Sequence, residues 1–185
     1  STPANIVTIG IRAPPASMRD SVVMCLISKM VNDENGRAAP ILKSGLFYQL
    51  SASNSQFRDN NLWMVTAGIP QVDIRAQQLG VQALLELVES FKTSPPSNAE
   101  LNSAIEDVRR DYELRGMSNT EKAMKVNQFM CRTFNAFHGH ECETILNTIT
   151  AADVHRVSNA FFIESGMTIG RYFPATSPSK SKVLF

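Results

Sequence analysis

RAAPILKSGLFYQLSASNSQFRDNNLWMVTAG, residues 37–68, is the stretch on which the fold turns. It reads as a β-hairpin with an aromatic-rich strand on each side of a polar turn. Leu46, Tyr48, Leu50 and Ala52 alternate with Phe47, Gln49, Ser51 and Ser53, the period of two that gives a strand different faces. Residues Gln56 to Asn61 bend the backbone, and Leu62 to Thr66 resume in β-favouring types before Gly68 and Pro70 stop the strand.

Outward from the hairpin, Asn5 to Ile11 predict an interior strand, because apolar residues are too dense there for one wet face. Pro14 and Pro15 end it. Val22, Val23, Leu26, Ile27 and Met30 then fall at helical spacing. After the hairpin, Val81, Leu84, Leu85, Val88 and Phe91 stripe a helix over about 72–92 that ends at Pro95 and Pro96. Three Ser/Thr caps, Ser97 with Glu100, Ser118 with Glu121 and Thr150 with Asp153, open further helices. Met167 to Tyr172 reads as a last strand. The predicted order β-α-β-β-α-α-α-α-β makes an α+β two-layer sandwich, a small mixed sheet with helices on one face. Its domain spans residues 5–173, and a Ser/Lys/Pro tail over 174–185 is expected to be loose.

Such a sheet has about four strands and an edge of unpaired peptide groups. The hairpin strands carry no proline and no charged guard, so association through the hairpin and first strand is expected, with Phe47, Phe57 and Trp63 as interface aromatics.

Composition narrows the function classes. In 185 residues, 18 Lys and Arg nearly cancel 17 Asp and Glu, so no global field points to nucleic acid or an anionic membrane. No apolar run approaches a membrane span. Three cysteines, Cys25, Cys131 and Cys142, are an odd set that points to buried free thiols in a reducing compartment. Cys131, His138, His140 and Cys142 lack the paired spacing of structural zinc ligands and read as a polar loop between helices.

Four pieces carry a resemblance: Val7-Thr8-Ile9-Gly10, Gly45-Leu46-Phe47-Tyr48, Ser97-Asn98-Ala99-Glu100-Leu101, and Ile149 to Val154. In this order and spacing they resemble the pitrilysin, insulinase and mitochondrial processing peptidase superfamily, and within it the branch of the processing peptidase and the respiratory complex core subunits. Active members hold zinc on His-x-x-Glu-His. This sequence lacks that motif, and His138-Gly139-His140-Glu141-Cys142 is its nearest string. The resemblance therefore implies a C-terminal, non-zinc-binding domain that is not itself an enzyme and carries no cofactor, with zinc only on a partner domain. By resemblance Tyr48 lines a substrate cleft. Ile41 and Leu42 occupy the region of the family's cleft arginine, leaving Lys43 to supply the charge, and a lysine does not reproduce a bidentate guanidinium.

The resemblance also implies a longer native unit, with these residues as the latter part of a domain, and a mitochondrial location. Two functions stay open. One is a non-catalytic scaffold or partner-binding subunit of a protein complex; the other is the substrate-binding portion of a zinc endopeptidase whose motif lies on another chain.

Overall fold

The structure, a computed structural model, describes residues 5–59, 61–71, 73–112 and 117–173. Four strands form one sheet in the order β2-β3-β1-β4: β1 (Asn5–Ala13), β2 (Gln49–Asn54), β3 (Asn61–Ile69) and β4 (Met167–Tyr172). All three pairings are antiparallel, so the fold class is as expected and the mixed sheet is not. The difference follows from the connections: the segment between β3 and β4 returns to the outside of β1 and leaves β4 running against it.

The alternation read from the sequence sorts the two faces. Val7, Ile9, Ile11, Trp63, Val65 and Ala67 are fully buried beneath the helices. Their neighbours Ile6, Thr8, Gly10, Met64 and Thr66 are half-buried on the other side. Helices α1 (Arg19–Asn32), α3 (Ile74–Thr93) and α7 (Ala151–Phe161) pack on the buried face, and α4 (Asn98–Tyr112) and α6 (His138–Leu146) pack in turn on α1. Leu84 and Phe91 of α3 are fully buried, while Leu85 is half-buried and Leu87 takes its expected place in the core. Gly80 lets α3 sit close to the sheet, because a β-carbon there would meet Ile69 at 2.6 Å and Phe47 at 3.2 Å.

Two helices were not foreseen. α2 (Ala39–Lys43) is one turn opened by Pro40, and α6 occupies the string expected to be a loop; α5 (Asn119–Thr133) lies just before it. The boxes at Ser118 with Glu121 and Thr150 with Asp153 form in full. At Ser97 only half of one forms. The Glu100 amide donates to Ser97, but the Glu100 carboxylate turns to Arg37 at 2.8 Å, and Arg37 also donates to the Ser90 carbonyl and lies over the Phe91 ring. That ion pair, six-sevenths buried, ties the segment before α2 to the end of α3 and the start of α4. Among the described residues no helix is long and apolar enough to cross a membrane. The expected tail at 174–185 lies outside the described residues.

Candidate functional site

β2 begins three residues later than the sequence pattern suggests, and the reason repositions Tyr48. Gln49 pairs with Gly68, while the Tyr48 amide also donates to the Gly68 carbonyl at 3.0 Å. Two residues thus oppose one, the form of a β-bulge, which re-aims a side chain. Phe47 turns into the core and Tyr48, 60% exposed, turns onto the open face. Its ring lies flat over Gly68: a β-carbon at residue 68 would stand 2.6 Å from both Cε1 and the hydroxyl oxygen of Tyr48.

Strand register extends this point into a row across the open face. Gln49 faces Gly68, Gly68 faces Ile6, and Ile6 faces Tyr172, which is 56% exposed. Two exposed tyrosines therefore bracket Ile6. The next row, Ser51, Thr66, Thr8 and Gly170, is small and hydroxylic, with Thr8 and Thr66 sharing a hydrogen bond of 3.0 Å. The centre of the face is neutral, with neutral donors and acceptors between aromatic flanks. Its hydroxyls are of the nucleophile type, but among the described residues no His, Asp or Glu hydrogen-bonds to them to activate them.

The other sequence-predicted site residues separate. Lys43 is exposed at the end of α2, and among the described residues no hydrogen bond or ion pair joins it to Tyr48. Trp63 and Phe47 are core residues, which corrects their reading as interface aromatics. Trp63 is 0% exposed, its Nε1 donates to Ser28 Oγ at 2.9 Å, and its ring packs 5.0 Å from that of Phe162. Of the three, Phe57 alone is exposed, at the far end of the hairpin, where its carbonyl accepts from Ala16.

The predicted bare edge is likewise corrected. β1 is interior, and Asn32 at the end of α1 covers the middle of the outer edge of β2, its amide donating to the Ala52 carbonyl at 2.8 Å and its carbonyl accepting from the Ala52 amide at 2.7 Å. Sequence reasoning missed Gly68 and Tyr172. The hairpin pattern aligned with its bulge allowed for finds the first, and the period of two through Thr168 and Gly170 finds the second.

A second concavity, of about 620 Å³, lies among α4, α5 and α6 and is lined by Tyr112, Phe129, Phe137 and Lys122 among others. Beneath it the Gln56 amide donates to Tyr112 Oη and to Cys25 Sγ, both at 2.8 Å, and Arg132 donates to Gln56 Oε1 at 2.9 Å. Burial pushes the Cys25 thiol up and that of Cys142 up to about 12, so both stay protonated. Burial also holds the His138 imidazole below its ordinary value.

The cysteines and histidines do not fit zinc. His138 Nε2 and Cys142 Sγ share a hydrogen bond of 3.3 Å, whereas His140 and Cys131 are exposed elsewhere. Among the described residues no three His, Cys, Asp or Glu side chains converge on a point that could hold a metal ion.

The architecture is thus an α+β sandwich with helices on one face of its sheet and the other face open. The chain matches the model of the peptidase M16 inactive domain over residues 1–108, more than half its length, and belongs to that family. That description, an inactive domain, agrees with the expectation that the chain is not itself an enzyme. The fold is shared with the inactive peptidase domain assigned to a zinc protease of Bordetella parapertussis (20% identity, TM-score 0.84, covering 99% of this chain and 97% of that one). It is also shared with a protease of Helicobacter pylori (21%, 0.75, 90% and 40%) and with a chain of complex III of Candida albicans (12%, 0.70, 92% and 43%). No curated protein matches the sequence.

Proposed function

We propose that this chain is a non-catalytic subunit or domain of a peptidase-type assembly that holds polypeptide on its open sheet face. The carrying observation is the placement of Tyr48: a bulge turns it out of the core, and Gly68 leaves the bare backbone on which its ring lies. Exposed aromatics presented on a rigid sheet are the anchors that binding surfaces favour. Lys43 stands apart at the end of α2 as an exposed charge and is not a bidentate clamp. The chain carries no cofactor in this reading, and any zinc belongs to a partner.

A second function, the substrate-binding portion of a working zinc endopeptidase, is favoured by one observation. The same fold fills 40% of the H. pylori protease chain. A mitochondrial location rests on the complex III likeness alone, and bacterial proteins share the fold.

Dye-labelled β-casein, a disordered polypeptide, tests the first reading: the chain should bind it without cutting it. Absence of binding, or cleavage abolished by a zinc chelator, contradicts it. Zinc content and chelator-sensitive proteolysis of the native assembly separate a pure scaffold from the accessory half of a peptidase.

A further inference from the structure

We infer that the outer edge of β4 accepts an extended segment of another polypeptide as a fifth strand, which rests on the polypeptide-holding role proposed above. The two edges of the sheet are treated differently. On β2, where the peptide groups of Leu50, Ala52 and Asn54 face away from β3, the Ala52 amide and carbonyl are both satisfied by the Asn32 carboxamide and the Asn54 side chain donates to the Ser21 carbonyl, so α1 lies along that edge. On β4, the alternation of antiparallel pairing, fixed by Ser55 donating to Leu62 and carried across by the registers, points the peptide groups of Ile169 and Arg171 outward. Among the described residues no hydrogen bond reaches them.

The side chains agree with the backbone. Ile169 lies on the helix-facing side yet is 40% exposed, since no helix packs broadly on β4, and Ile163, just before that strand, is exposed as well. Within residues 167–172 there is no proline, lysine or carboxylate, and Arg171 is the one charge. Chains commonly guard a free edge with such residues. Donor and acceptor groups repeating at every second residue are matched by an extended backbone, and that is the chemistry of strand addition.

A six-residue edge falls far short of the roughly 1,600 Å² that a stable protein pair buries. This disfavours a second copy joined edge to edge and favours a segment held also by the adjoining open face, where Tyr172 flanks the edge.

Amide hydrogen exchange on the intact chain, free and with saturating β-casein, tests the edge. The Ile169 and Arg171 amides should exchange fast in the free chain, unlike that of Ala52, and slow by about tenfold or more on binding. Ile169→Pro removes an N–H that points away from β1, so it should spare the ladder and weaken β-casein binding roughly tenfold. Ile169→Lys, a charged guard, should do the same should the proline variant not fold.

Protection of these amides in the free monomer would overturn the inference in favour of the chain's own residues covering the edge. Protection that grows with chain concentration would overturn it in favour of a second copy. Loss of binding in Tyr48→Ala with full binding in both Ile169 variants overturns the edge and keeps the open face; full binding in all three removes both.

Discussion

The ring of Tyr48 occupies the space that a β-carbon on Gly68 would need, and the two residues sit on neighbouring strands joined by the Tyr48 amide to the Gly68 carbonyl. Residue 68 thereby sets where the exposed tyrosine lies. The relationship needs both the glycine and the bulge, since without the extra residue Tyr48 would point into the core and Phe47 out of it.

Trp63 belongs to the core, so its removal is a stability experiment. Trp63→Ala should cost about 3–5 kcal/mol in urea unfolding. Ser28→Ala, which leaves the buried indole N–H unpaired, should cost about 1–3 kcal/mol. A Trp63→Ala protein of wild-type stability would mean that the ring is not packed on Phe162 and α1.

Asn32→Ala should uncover the Ala52 peptide groups. The expected outcome is a loss of about 1–3 kcal/mol together with new self-association, read by unfolding and by sedimentation at rising concentration. A fully monomeric variant of unchanged stability would show that α1 covers the edge without its asparagine.

His138 gives a pH dependence whose sign is fixed. Its imidazole is held below the ordinary value of 6.5 chiefly by burial, against an opposing pull from Glu141. The unfolded chain therefore takes up the proton first as pH falls. The stability it contributes is complete above about pH 6.5 and is lost as pH drops toward the folded value. Between about pH 7.5 and 5.5 the wild type should lose more stability than His138→Phe, which keeps the edge-on packing against Tyr112 and Phe129. Equal losses would place the dependence elsewhere.

The thiols should separate cleanly. At neutral pH Cys131, exposed on α5, should react with a disulfide reagent within the mixing phase, the half-buried Cys25, its thiol pushed up by desolvation, far more slowly, and the buried Cys142 only on unfolding. Reaction of Cys142 in the folded chain, or of Cys25 as fast as Cys131, would contradict that order.

Much of the fold was legible because its signals are local. The strand periods around Ile9 and Val65, the α3 stripe and the boxes at Ser118 and Thr150 each depend on residues a few positions apart. What sequence missed depends on distant partners. Glu100 leaves its capping box for Arg37, 63 residues away in sequence, because a buried guanidinium holds a carboxylate more strongly than an exposed helix end does. Trp63 has the composition of an interface hot spot, and only its contact with Ser28 and Phe162 shows it to be core.

α6 was hidden by Gly139, whose bareness lets the Phe129 ring approach to 3.0 Å from where a β-carbon would stand. The candidate site was half legible: Tyr48 was marked by its place after Gly45-Leu46-Phe47, but one extra residue in the strand decided which face it took.

Whether the open face holds polypeptide through a tyrosine placed by a glycine is read from β-casein affinity in Gly68→Ala. The ring is exposed and free to swing away, so the substitution should change unfolding stability by less than about 1 kcal/mol. It should nevertheless weaken binding roughly tenfold, as Tyr48→Ala does. A Gly68→Ala protein that folds as the wild type and binds β-casein with wild-type affinity would show that the glycine-placed tyrosine does not hold polypeptide.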